Sequence, residues 1–187
     1  MASNTKQIII EKVVELSKKK PFNKITINDL CKNCGITRNT FYYYYHDIYD
    51  VIINLIQDKI DHIDITQQEK GIFDMIEFLG TYRILWINMY KYVDRDLFEG
   101  IFKQQIRSFL QKFYNNTIGF NDDNNYYFEI ISSFYEESLY GLAVRYIIKT
   151  TRDEEYDAKE AFKNVRIIFG GQLELILNNI KKLNNNQ

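Results

Sequence analysis

Residues 37–46 read TRNTFYYYYH: two hydroxyls, a guanidinium, a carboxamide, four phenols and an imidazole around one phenylalanine. These groups share one kind of chemistry. Hydroxyls and phenols donate to phosphate oxygens, arginine suits guanine or phosphate, and asparagine suits a base edge. No paired carboxylates, Ser/His/Asp set or glycine-rich phosphate loop accompanies them, so the pattern points to binding and not to an enzyme. Five consecutive aromatics cannot all be buried by one short segment. On a helical wheel of about 100° per residue, Phe41 and Tyr45 fall together on an inward face, with Ile36 beside them. Arg38, Asn39, Tyr42 and Tyr43 fall on the other side, and Thr40 and Tyr44 take the flanks. Outward tyrosines suit DNA, where each phenol meets phosphate and each ring covers sugar or a thymine methyl; packing against a second domain or a partner is the plainer alternative.

Placing those side chains requires a particular run of elements. Thr5 to Lys20 repeats apolar residues (Ile9, Ile10, Val13, Val14, Leu16) at helical spacing before Pro21 stops the helix. Thr26 and Asp29 form a capping pair for a short helix through Leu30 to Asn33, and Gly35 stands where a left-handed residue is wanted. Thr37 caps a third helix from Arg38 to about Tyr45, and Asp47 a fourth through Val51, Ile52, Leu55, Ile56 and Ile60. Helix, short glycine turn, helix is the spacing of a helix-turn-helix. Capped ends at Thr26, Thr37 and Asp47 also favour phosphate. His46 follows the tyrosines, where it meets either phosphate or solvent.

Charge is distributed in the same sense. The net charge is −1, which taken alone argues against a polyanion partner. Residues 1–46, however, hold eight Lys/Arg and three acids, 8 − 3 = +5, which leaves −6 for the remainder. A basic head on an acidic body fits a nucleic-acid reader with a separate regulatory part. Lys18–Lys20 serve either that face or a merely solvated helix end.

The remaining sequence, with one proline and eight glycines in 187 residues, continues as helix. Helical spacing covers 72–92, about 96–114, 126–149 and 157–182, so the expected fold is all-α. A helix-turn-helix module occupies residues 1–50 and a larger helical regulatory and dimerisation part 51–187. No 18-residue apolar run offers a membrane span, and the amino-terminal stretch lacks a signal-peptide pattern. A cytoplasmic protein without a membrane partner is expected. Cys31 and Cys34 form a C-x-x-C without suitably spaced further ligands, so no metal and no cofactor are expected and both read as small packed residues.

Residues 25–52, ITINDLCKNCGITRNTFYYYYHDIYDVI, resemble the amino-terminal module of the tetracycline-repressor family of transcription regulators. Thr26, Ile27, Asp29, Leu30, Gly35, Ile36, Thr37, Thr40, Phe41 and Tyr42 match its pattern in order. The resemblance implies a homodimer on a near-palindromic double-stranded DNA operator, controlled by a small-molecule effector, and a repressor more often than an activator. It assigns phosphate contact to Thr40 and Tyr42, and base or backbone contact to Thr37, Arg38, Asn39 and Tyr43; Thr26, Tyr44 and His46, by their place on the same module, complete the expected DNA-binding set. Two departures stand out. Pro21 replaces a customary glycine, and Ile48 replaces a lysine that opens the fourth helix in many members, which removes one cationic phosphate contact. His46–Asp50, HDIYD, is also similar to a branch that includes activators of dihydroxyacetone-kinase operons.

Two further sites are expected in the body. Tyr82, Arg83, Trp86 and Tyr90 surround the only tryptophan and either line a pocket for a small apolar or anionic effector or are plain core. The last two long segments, through Phe134, Leu139, Gly141, Phe169, Gly170 and Leu173, carry apolar stripes too wide for one subunit to cover. A symmetric four-helix dimer interface is the expected use. A helical protein–protein adaptor that has lost specific operator binding is the other function class, motivated by Ile48 and the bulky tyrosines.

Overall fold

A computed structural model of the chain describes residues 2–64, 68–117, 125–152 and 171–184. Among them every regular element is helical. The order is α1 Ala2–Ser17, a 3-10 turn Phe22–Lys24, α2 Ile27–Cys34, α3 Arg38–Tyr44, α4 Ile48–Asp61, α5 Gln68–Thr81, α6 Arg83–Tyr92, α7 Arg95–Thr117, α8 Asn125–Thr150 and α9 Gln172–Asn184. We refer to α1–α3 as the head and to α4–α9 as the body.

Apolar periodicity gives each helix its buried side. In α1, Ile9, Val13 and Ser17 lie one turn apart and all are buried. The helix ends at Ser17, earlier than the expected Lys20. The amides of Lys19 and Lys20 fold back onto the Leu16 carbonyl, and the Ser17 hydroxyl donates to the Val14 carbonyl. The freed carbonyls of Ser17 and Lys20 are taken by the side-chain amide of Asn88 in α6. Pro21 therefore follows a helix that another helix has already finished.

Local chemistry sets the next boundaries. Thr26 and Asp29 close a reciprocal capping box at the start of α2. Gly35 ends that helix at φ 66°, in the left-handed region, and the amides of Gly35 and Ile36 both bond to the Cys31 carbonyl. Asp47 caps α4 by accepting from the Asp50 amide at 2.8 Å. The other end of α4 is closed by Lys112 of α7, whose ammonium donates to the carbonyls of Ile60, Asp61 and Ile63. A cation at a helix carboxyl end suits both the free carbonyls and the dipole.

The expected single helix over 72–92 is two. Gly80 weakens the run, the Thr81 hydroxyl bonds back to the Glu77 carbonyl, and Tyr82 leaves helical geometry at φ −100°, ψ 21°. Both features bend helices. The expected helix over 157–182 is described only from Gln172 onward; 153–170 lie outside the described residues.

In the head, α1 packs on α2, and it also meets α4 and α6. In the body α7 lies along α8, with α4 and α9 also against α7. Rings fill the centre. Trp86 meets Phe78 at 5.7 Å and Phe102 at 5.5 Å between centroids, and Phe102 meets Phe98 at 4.7 Å. Each such side chain, fully buried, contributes roughly 1.5–3 kcal/mol of transfer free energy. Gly71 lets α5 come close: a Cβ there would stand 2.8 Å from Cγ2 of Ile63.

Candidate nucleic-acid interface and an apolar cavity

The helix-turn-helix places α3 with one ring inward and a polar surface outward. Phe41 is fully buried, and Tyr45, just past the helix, is buried behind it with their centroids 6.0 Å apart. Burial, with Asp50 and Asp58 nearby, pushes the Tyr45 phenol up to about 12. Its hydroxyl donates to the Asn54 side chain. Arg38, Asn39, Tyr42, Tyr43 and His46 are exposed, as are Thr26 and Thr37; Tyr43 is 80% exposed and Tyr42 47%. Thr40 and Tyr44 are half-buried flanks. Only three of the five aromatics in the run therefore lie at least partly inward.

Several of these groups are already ordered. The Thr37 side chain accepts from the Thr40 amide at 3.1 Å, and the two hydroxyls lie 2.9 Å apart. Arg38 donates to the Asn28 side chain and to the Tyr42 hydroxyl, both at 3.3 Å. A guanidinium and a phenol four residues apart thus share one outward surface. His46 bonds through its amide to Asp50. Ile48 is half-buried and packed against the core.

Two acidic groups of the head, Asp29 and Glu15, are paired with lysines. Lys20 holds the Asp29 carboxyl well below the usual carboxylate range, helped by the Thr26 hydroxyl and amide. Lys12 and Lys19 hold Glu15 down, to about 2. Lys18, Lys24 and Lys32 are exposed and form no ion pair among the described residues. Cys31 is buried and Cys34 half-buried, its Sγ 3.9 Å from the Ile8 carbonyl; both are free thiols.

In the body, α4 through α8 line a partly open cavity of about 100 Å³. Trp86 lines it. The other residues expected there do not. Tyr82 stacks against Phe78 at 4.9 Å and Trp86 at 6.2 Å, outside the lining. Arg83 is half-buried elsewhere, and Tyr90 packs on Phe98 and accepts from Arg95 at 2.6 Å. Of these four residues at the start and along α6, Trp86 alone is among those lining the cavity. Without Arg83 in the wall, the expectation of an anionic effector loses its cation.

Gln105 lines the cavity instead and was not singled out in the sequence. Its signal was there: it occupies a core position between Phe98, Phe102 and Phe109 on α7, and it is buried.

Asn88 is the second residue missed. Besides the two α1 carbonyls, its Oδ1 accepts from the Phe22 amide at 2.7 Å. Trp86 and Asn88 are two residues apart on α6, so one helix touches both cavity and head.

On α8, Tyr126, Ile130 and Phe134 form an exposed stripe at four-residue spacing, and Phe134 is 63% exposed. Gly141 lies on the same side and is exposed, with no atom within 4 Å of where a Cβ would stand. Leu139, five residues on from Phe134, faces another side of α8, half-buried and lining the cavity. Phe169 and Gly170 lie outside the described residues, as does the side chain of Leu173. On α9, Leu175 is exposed while Leu177 and Ile180 are buried. No described helix is long and apolar enough to cross a membrane.

By sequence, the chain matches no protein-family model and no curated protein. By fold, it is similar to a solved structure, the dihydroxyacetone kinase operon activator DhaS. The two share 15% identity at a TM-score of 0.66, over 91% of this chain and 97% of that one. The likeness establishes that the all-α architecture is shared over nearly the whole length.

Proposed function

We propose that the protein is a DNA-binding transcription regulator of the tetracycline-repressor type, acting in the cytoplasm as a homodimer on a near-palindromic operator. DNA binding resides in residues 1–50, and effector binding and pairing in 51–187. The observation that carries this reading is the outward surface of α3. Arg38, Asn39, Tyr42 and Tyr43 stand exposed on a helix fixed from behind by Phe41. Two such helices, one per subunit, would enter successive major grooves about 34–36 Å apart. Thr26, Thr37, Thr40 and His46 contact phosphate, and Tyr44 supports from the flank. The exposed stripe of Tyr126, Ile130 and Phe134, with Gly141, supports pairing through α8.

Control follows from α6. A molecule in the cavity pushes on Trp86, and Asn88 on the same helix carries the displacement to the α1–α2 junction, which resets the spacing of the paired heads. Loss of operator on effector binding, and so repression, is the default by resemblance; the structural neighbour bears the name of an activator. Transcription in vitro from the regulated promoter reads the sign directly.

The test of operator binding is a gel-shift series against DNA upstream of the protein's own gene. Saturable, salt-sensitive binding to a short palindrome, weakened about tenfold or more by Arg38→Ala or Tyr42→Ala, is the expected result. Binding indifferent to sequence at every salt concentration would favour the adaptor reading.

A further inference from the structure

Among the described residues, the walls of the cavity are apolar except at Trp86 and Gln105. Trp86 and Gln105 both line it, and the indole N–H of the one and the side-chain carbonyl oxygen of the other are buried with no hydrogen-bond partner among the described residues. Both side chains are buried, Trp86 at 0% exposed and Gln105 at 4%. Buried polar groups are nearly always satisfied, and leaving one unmade is unfavourable. One is a donor only, and the other is an acceptor.

We propose that the cavity takes a small, neutral, mostly apolar molecule carrying a single hydroxyl, with a simple phenol as its type. This rests on the effector reading above and adds the chemical class of the ligand. A hydroxyl both accepts and donates. Its oxygen accepts from Trp86 Nε1 while its proton goes to Gln105 Oε1, and the two orphaned groups are answered by one atom.

Other classes fit less well. A carboxylate can only accept, which leaves Gln105 Oε1 opposed to an anion, and none of the described residues in the wall is charged. A polyol would press further hydroxyls against Ile56, Leu79 and Phe109, where nothing can bond them. Size gives a second limit. An engineered apolar cavity of about 150 Å³ holds benzene, so the smaller space here admits one ring or a short chain. Met75 in the wall, unbranched and adaptable, provides the remaining give.

The experiment is calorimetric titration of the full-length protein with phenol, benzene and benzoate in parallel. Emission from Trp86, the sole tryptophan, locates the binding. Phenol is expected to bind at least about tenfold more tightly than benzene, a difference of about 1.4 kcal/mol, and benzoate not at all. Gln105→Leu and Trp86→Phe should each bring phenol to within about twofold of benzene. Thermal melts verify folding of both variants, and if one fails to fold the other decides. Equal binding of phenol and benzene by the parent protein overturns the hydroxyl assignment while leaving a ligand cavity. Failure of all three to bind removes the effector reading of this cavity and the proposal with it. Operator binding, measured separately by gel shift, is affected by neither result.

Discussion

Helices α3 and α6 use aromatic residues in opposite ways. On α3 the rings of Tyr42 and Tyr43 face solvent and only Phe41 is wholly enclosed. On α6 Trp86 is wholly enclosed, and it sits in a continuous cluster with Phe78, Phe102 and Phe98. Polar groups follow the reverse order. Around α3 the hydroxyls and carboxylates are matched locally, by the Thr26–Asp29 box, by the Thr37–Thr40 pair and by Lys20. In the body, two buried polar atoms of cavity-lining residues, Trp86 Nε1 and Gln105 Oε1, are left unmatched among the described residues. A surface ready for contact thus shows as excess apolar area over ordered polar groups. A cavity ready for a ligand shows as excess polarity inside apolar walls.

The largest test of this contrast sets neighbours on one helix against each other. Phe41→Ala should cost about 3–5 kcal/mol in urea unfolding. Tyr43→Ala should stay within about 0.5 kcal/mol yet weaken operator binding. Equal losses of stability from both would erase the distinction between inward and outward rings.

A smaller effect is expected where the two regions join. Asn88→Ala leaves the Ser17 and Lys20 carbonyls and the Phe22 amide without their side-chain partner. It should lower stability by about 1–3 kcal/mol. It should also reduce the response of operator affinity to a bound ligand; an unaltered response would show that signals travel by another route. Thr26→Ala removes one half of a capping box and should cost about 1 kcal/mol, seen as a lower urea midpoint at constant slope.

The mildest test is acid. Glu15 takes up its proton near 4.5 when unfolded and near 2 when folded. As pH falls through that interval the unfolded chain gains the proton first, so stability present above about 4.5 declines toward about 2. Circular dichroism of Glu15→Gln across the same interval should give a flatter profile than the parent. Identical profiles would mean that the Lys12 and Lys19 pairs contribute nothing to holding α1. On the DNA side, Ile48→Lys restores a cation at the start of α4 and should steepen the logarithmic salt slope by about 0.9.

What could be read in advance depended on distance along the chain. The box at Thr26 and Asp29, the left-handed Gly35 and the cap at Asp47 each need residues no more than a few positions apart, and each was legible from residue type. So was the allocation of Phe41 and Tyr45 inward and Tyr42 and Tyr43 outward, because a helical wheel needs only spacing. The break at Tyr82 was not, since glycine and threonine are tolerated inside helices and only together bend this one. Asn88 was illegible because its partners lie 66 to 71 residues away. Gln105 was half-legible: its place among the core positions of α7 is visible, but the cavity it shares with Trp86 is not. That Trp86 lines the cavity while Tyr82, Arg83 and Tyr90 do not, and that Leu139 also lines it, was not legible, because helical spacing does not say which face of a helix a cavity meets.

Everything that Asn88 holds belongs to the peptide backbone: two carbonyls and one amide. The attachment consequently makes no demand on which side chains the head turns outward. Residues such as Arg38 and Tyr43 can be exchanged, and the outer surface of α3 with them, while the anchorage to α6 stays as it is.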